Sequence, residues 1–409
     1  MAAGTADAAK ISFSEKGFVD VGGLVQAQYR IEQDAAGSGK DPSHDFLLRR
    51  ARLIIAGQFN DNIGFLVDTD VSYATGPGTT SNAPANTGAT GVYNGIYLLD
   101  AVATYKVSKE FLLDAGLMLN PGMPHDGLTS GAKFVTVNGM PLYFSPNSQR
   151  ATRDVGIGIR GLLLDDRLYY RMGVFNGVQT RPTISTTTGT PPVTTTTPGI
   201  NPGDAPRFAG TLRFNIAGKE DGYAFCQMCF ASSPIVSIGV AADFQANAFR
   251  GIAPIGPTPP ASNSPSTGMG SWTTGYADLF ADIPFSPDLE LVVEAEFSKV
   301  WAGSNTNSSG TAINGLAALR FGVIAPYFQI EWFNSDVQYV GAGNAGTQAA
   351  PVGDLTTYRG GLSWFLLQHT YKISAEIAFQ NREKGGETVD GASIPKNHWV
   401  GTLQFQAGF

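Results

Sequence analysis

Residues 150–177, "RATRDVGIGIRGLLLDDRLYYRMGVFNG", are two runs of alternating side chains around an Asp-Asp break. One parity is almost purely apolar: Val155, Ile157, Ile159 and Leu163, then Leu168, Tyr170, Met172 and Val174. The other carries Asp154, Arg160 and Arg171. Successive side chains of a strand point to opposite faces, so this pattern predicts a hairpin with Asp165 and Asp166 at its turn. Two settings accept such a hairpin. In a soluble sandwich the apolar face is the core; in a membrane barrel it meets lipid while the arginines face a watery lumen. Parity alone does not separate the two.

The rest of the chain does. Period-two segments recur near 18–32, 44–59, 63–73, 96–106, 111–119, 153–164, 167–176, 207–216, 234–246, 271–283, 289–301, 311–322, 326–336, 355–367, 371–381 and 397–409. Short links such as "NDN" (60–62), "SKE" (108–110), "PFSPD" (284–288) and "LQHT" (367–370) alternate with long loops rich in Gly, Thr, Asn, Ser and Pro. One short-side link, 217–233, is longer than its counterparts. One loop, "TRPTISTTTGTPPVTTTTPGINPGDAP", is low-complexity and is expected to be mobile. Short-long alternation over sixteen strands predicts an all-β, 16-stranded antiparallel transmembrane barrel with short periplasmic turns and long extracellular loops. Closure is required because an open edge leaves unpaired backbone groups in hydrocarbon. An even strand number puts both ends on the periplasmic side. Residues 1–17 read as a periplasmic extension and 18–409 as a single barrel.

Composition agrees. Charged residues are 15% of the 409, against roughly 25% in ordinary soluble proteins, while glycine reaches 50 residues and aromatics 11%. No apolar run approaches the roughly 18–20 residues of a membrane helix. A net charge of −7 argues against nucleic-acid binding. The opening "MAAGTADAAK" lacks the charged and apolar regions of an export signal, and reads as a mature start behind an added Met.

Parity also assigns faces. In 44–59 the odd set Leu47, Ala51, Leu53, Ile55 and Phe59 is expected to face lipid, with Arg49 an exception that snorkels to the interface. The even set holds Arg50 and Arg52. In 289–301, Leu289, Leu291, Val293, Ala295 and Phe297 face out, and Glu290, Glu294 and Glu296 face in. The same rule places Arg30, Arg160, Arg171, Arg213, Arg320, Arg359, Lys106 and Lys372 in the lumen. It adds Asp20, Asp68, Asp70, Asp100, Asp154, Asp243, Glu331 and Glu376. Arginines gather on strands one, two, six, seven and eight and acids on three, four, eleven and thirteen, which predicts a positive wall facing a negative one. Aromatics near strand ends suggest interfacial girdles: Tyr73, Tyr97, Tyr105, Trp272, Trp301, Tyr327, Trp332, Trp364, Tyr371 and Trp399.

Cys226 and Cys229, in "FCQMCF", are the only cysteines, and the four histidines are scattered. A local disulfide in an oxidising compartment, a metal or redox site and free thiols are all compatible with that spacing. Haem attachment is not, because Phe230 stands where a histidine is needed. No cofactor is expected. A hydrolase would need a Ser/His/Asp set, and no G-x-S-x-G motif occurs, so no enzyme activity is expected.

"DFLLRRARLIIAGQFNDNIGFLVDTD" and "RDVGIGIRGLLLDDRLYYRMGVFNG" together resemble the phosphate-selective porin O and P family, the first its early arginine-rich hairpin and the second its central hairpin ending in Phe-Asn-Gly. The final alternating strand, "HWVGTLQFQAGF", closing on Phe409, also resembles the end of outer-membrane barrels. The resemblance implies an integral outer-membrane porin in contact with lipid, assembled as a homotrimer. It also implies an inward-folded third loop, here 120–152, whose segments "KFVTV" and "MPLYF" would pack on the inner wall. It implies passive diffusion of small hydrophilic solutes or inorganic anions. The candidate pore-lining residues are Arg30, Arg50, Arg52, Arg160, Arg171, Arg213, Lys133, Asp68, Asp70, Glu294 and Glu296. A barrel serving as scaffold or sheath for a periplasmic or surface partner is the alternative, motivated by the cysteine-bearing link.

Overall fold

Strand periodicity carries the chain once around a closed ring. The computed structural model describes residues 9–36, 38, 40–71, 95–137, 152–179, 183–187, 193–197, 201–220, 222–250, 269–301, 309–335, 354–382, 388–389, 392–393 and 397–409. The wall is β1 (Phe18–Glu32), β2 (Ser43–Gln58), β3 (Ile63–Val71), β4 (Ile96–Lys106), β5 (Leu112–Leu119), β6 (Arg153–Leu163), β7 (Leu168–Phe175), β8 (Arg207–Ala217), β9 (Ile235–Arg250), β10 (Met269–Ser286), β11 (Leu289–Trp301), β12 (Gly310–Phe321), β13 (Ile324–Ser335), β14 (Leu355–His369), β15 (Tyr371–Arg382) and β16 (Asn397–Gly408). Each pairs antiparallel with its successor, and β16 pairs with β1 from Leu24 opposite Gly408 to Glu32 opposite Val400. Beyond that ladder, Ala9–Ser12 folds back on Phe18–Val21.

The opening hairpin is β6–β7. Leu163 faces Leu168 across a four-residue turn in which Asp165 and Asp166 have φ of 53° and 68° and the Arg167 N–H donates to the Leu164 carbonyl at 3.1 Å. Leu164 is left-handed as well, at φ 53°, so three successive left-handed residues reverse the chain, in the sense that the right-handed twist of a hairpin favours. Ile157, Met172 and Val174 are exposed on the outer wall, while Arg160 and Arg171 are buried on the inner side.

Four readings change. Arg49 is the extra residue of a β-bulge, since Gln26 faces Arg50 and the next pair is Ala27 with Leu48. The bulge flips parity: Leu47 pairs with the inward Gln28 and is buried, and Phe46 is exposed on the outer wall instead. Trp272 and Tyr327 point inward, the latter donating to Glu376 at 2.9 Å, and so leave the girdle; Tyr97, Tyr105, Trp301, Trp364 and Tyr371 stay outside. Pro284 and Phe285 belong to β10 rather than to its turn, with an irregularity between Pro284 and Ser286 that accommodates the missing N–H. Within the low-complexity loop, Thr183–Thr187 pairs with Val193–Thr197 as a short ribbon.

The interior is not uniformly polar. Phe280, Val292, Leu316, Tyr327 and Phe365 from the wall enclose Val135 and Met228 in an apolar core inside the ring. Both Val135 and Met228 come from connections, Val135 from the β5–β6 loop and Met228 from the β8–β9 link.

Candidate functional site

The β5–β6 loop enters the barrel at once. Asn120 donates to Asp243 at 3.2 Å and accepts from the Gly122 N–H at 3.0 Å. A side chain at Gly122 would come within 2.6 Å of the Ala242 carbonyl, so the chain passes the wall only as glycine. A single helical turn, His125–Leu128, follows. His125 is fully buried, its ring stacked on Phe280 at 3.9 Å, with Nδ1 2.5 Å from Glu294 and Nε2 2.7 Å from Glu220. Burial alone would lower its pKa, but the two carboxylates override it and raise it to about 10. Burial would raise Glu220, yet Arg213 and His125 pull it down to about 2. Arg213 lies 3.2 Å from Glu220 and 2.5 Å from Asp278. The clamp therefore joins the loop, the β8–β9 link and the wall through buried ion pairs.

The next described stretch, Gly131–Val137, lies along β14, β15, β16 and β1. Gln26 of β1 donates to the Gly131 carbonyl at 3.0 Å and Gln406 of β16 to Ala132 at 3.0 Å. Lys372 of β15 reaches the Phe134 carbonyl at 2.5 Å, and Ser363 of β14 reaches Val135 at 2.5 Å. "KFVTV" (133–137) thus packs against the inner wall; "MPLYF" lies outside the described residues, as does Tyr73.

The expected two opposing walls of charge are not built as predicted. Most arginines are neutralised by an acid on a neighbouring strand or link. Arg52 lies 2.9 Å from Asp70 and 3.8 Å from Asp68. Arg160 meets Asp114 at 2.7 Å, Arg320 meets Glu290 at 2.6 Å, and Arg359 spans Glu331 and Glu376. Arg171 donates to the carbonyls of Tyr223 and Leu119 and stacks on the Tyr223 ring. Arg30 is half-exposed and pairs with Glu32 at 2.7 Å. Lys106 is exposed at the short-turn rim rather than in the lumen, with its backbone N–H bonded to the Asn62 carbonyl.

Among the described residues, two groups beside the loop lack an opposite-charge partner. One holds Arg50, whose partner among the described residues is the Gln26 amide oxygen at 2.6 Å, Lys372 on its carbonyl, and Lys133, whose pKa burial lowers. In the other, the donors to Glu296 among the described residues are neutral, the Asp126 N–H at 3.0 Å and Asn314 at 3.1 Å. Both Asp126 side-chain oxygens are buried without a hydrogen-bond partner among the described residues. Burial, then Glu296 and Glu294, push the Asp126 carboxyl well above its usual range.

Cys226 and Cys229 are joined by a disulfide. His125, Asp126 and Glu220 were not legible as a site, because their partners lie far off in sequence. Asp114 and Asp278 were also missed, although each falls on the lumen parity of its predicted strand.

Residues 19–121 match the family model Phosphate-selective porin O and P. No curated protein matches the chain by sequence. Solved structures share the fold at low identity. An anion-selective porin from Comamonas acidovorans superposes with a TM-score of 0.56 at 12% identity, covering 96% of this chain and 99% of that one. The outer membrane channel DcaP of Acinetobacter baumannii gives 0.54 at 11%, covering 98% and 100%. The trimer form of OmpT from Vibrio cholerae gives 0.52 at 11%, covering 97% and 100%.

Proposed function

We propose that this chain is an outer-membrane porin related to the phosphate-selective O and P family, whose model matches residues 19–121, and that its third loop is the selectivity constriction, with a lean toward anions. The observation that carries the reading is the stretch Gly131–Val137, which contains Lys133 and lies on the inner wall against Arg50 and Lys372. Cations that are held by neutral oxygens rather than by carboxylates keep their field available to a passing ion. The paired arginines Arg52, Arg160 and Arg213 serve mainly to satisfy buried acids. Assembly as a homotrimer, in a lipid bilayer, fits the same reading, supported by the trimeric form described for OmpT.

The sheath alternative loses ground. The interior already holds this chain's own loop and link, packed on one apolar core.

Planar-bilayer recording in a salt gradient tests the proposal. The expected result is a conducting pore with a reversal potential displaced toward chloride. Arg50→Glu together with Arg52→Glu should shift it toward cations, and Arg50→Gln alone should act more strongly than Arg52→Gln. A cation-selective wild type would overturn the anion lean, and equal effects of the two single variants would overturn the assignment to Arg50.

A further inference from the structure

The β8–β9 link is not a turn lying at the rim. Its segment Gly222–Phe230 reaches into the ring from the short-turn side and touches wall strands far apart around it. Tyr223 donates to Asp100 of β4 at 2.6 Å, and its carbonyl accepts from Arg171 of β7 at 3.0 Å. The Cys229 N–H donates to Asp282 of β10 at 2.8 Å, and the Phe230 N–H to Glu290 of β11 at 3.0 Å. The Met228 carbonyl meets His369 of β14 at 2.6 Å. Contacts on β4, β7, β10, β11 and β14 mean the segment bridges the short-turn mouth.

It also backs the third loop. Phe225 exchanges backbone hydrogen bonds with Leu128 at 2.9 Å and Ser130 at 3.0 Å, as a parallel bridge. Gln227 donates to Glu294 at 2.8 Å and accepts from the Val135 N–H at 2.9 Å. Met228 is completely buried against Val135. Between these anchors the disulfide from Cys226 to Cys229 closes a four-residue tip around Gln227 and Met228. Gln227 and Met228, two of the residues that grip the loop, are thus held inside the covalent ring, while both cysteines keep partial exposure.

We propose that Gly222–Phe230 is a second constriction element on the periplasmic side, which sets the size limit of the pore by supporting the third loop from below, and that its disulfide is the lock. Unlocking is an ordinary exchange. A dithiol reductant gives two electrons and two protons, its sulfurs form a new disulfide, and Cys226 and Cys229 become thiols. The freed tip gains backbone freedom, and Gln227 and Met228 lose their fixed presentation to the loop.

The inference rests on the porin reading, and one set of recordings separates the two. Single-channel conductance and liposome swelling with a size series of sugars are measured for wild type, for a Gly222–Phe230 deletion, and for Cys226→Ser with Cys229→Ser. Barrel closure is checked by heat-dependent gel mobility. The deletion is expected to raise conductance at least twofold and to admit larger sugars. Dithiothreitol added on the short-turn side should raise open-channel current noise at least twofold in wild type and leave the double serine variant unchanged. A closed deletion barrel with wild-type conductance and size limit overturns the second constriction. A wild type indifferent to reductant overturns the lock, and needs no deletion to fold. No current from any variant overturns the porin reading itself.

Discussion

His125 is a single residue on which two connections and the wall depend. Its pKa is raised in the fold, from the usual 6.5 to about 10. The stability it contributes is therefore complete below about pH 6.5 and is lost as pH rises through about 10. Glu220, lowered to about 2, works the other way: its contribution is present above its unfolded value and lost as pH falls through about 2. Urea midpoints in detergent should fall between pH 6.5 and 10 for wild type, and the fall should be shallower for His125→Gln. An equal slope in both proteins would show that the clamp adds nothing in this window. Glu220→Gln leaves Arg213 and His125 short of a buried counter-charge, and should cost about 3–5 kcal/mol at pH 7.

Among elements, β5 shows how little room the wall has. Gly116 has φ of 128°, and a Cβ there would stand 2.0 Å from the Ala101 carbonyl of β4. Gly116→Ala should destabilise the barrel by about 1–3 kcal/mol, read as an earlier urea midpoint; an unchanged midpoint would mean the backbone relaxes freely. On the outer face of β6, Ile157→Arg should cost about 2–4 kcal/mol in lipid vesicles if the residue lies near the midplane. The same substitution should cost much less in detergent, where the head can reach water. Sequence parity found these strands because lipid and lumen impose the same period of two along the whole chain. It failed at Leu47, since one bulged residue, Arg49, inverts every face beyond it. The girdle reading failed at Trp272 and Tyr327 because it rested on nearness to a strand end, whereas both share the parity of inward residues on their own strands, Asp278 and Glu331. The clamp was illegible because Glu294 stands 169 positions from His125, and no local pattern marks such a pair.

At the scale of the whole molecule, the ring is filled from both mouths. Third loop and β8–β9 link meet on one apolar core, which a purely watery lumen would not contain. Charge is arranged to match: among the described residues most arginines are paired with an acid, while Arg50 and Lys372 on one side of the loop, and Glu296 and Asp126 on the other, are held by neutral groups or by none. Cross-linking in native membranes should trap the chain as a trimer, and a monomeric ladder at all cross-linker concentrations would refute that assembly.

One ladder differs in kind from the other fifteen. Adjacent strands pair soon after they are made, but Gln26 finds Gln406 across 380 positions of chain. Loop closure of that length is slow, and it comes after every neighbouring hairpin is able to form. Until it zips, two strand edges stand open, and each can capture another copy or be cut. The seam between β1 and β16 is therefore the kinetic bottleneck of folding. Weakening its glutamine pairs should lengthen the lifetime of an open sheet and raise aggregation in refolding assays, with little effect on how fast a finished barrel comes apart.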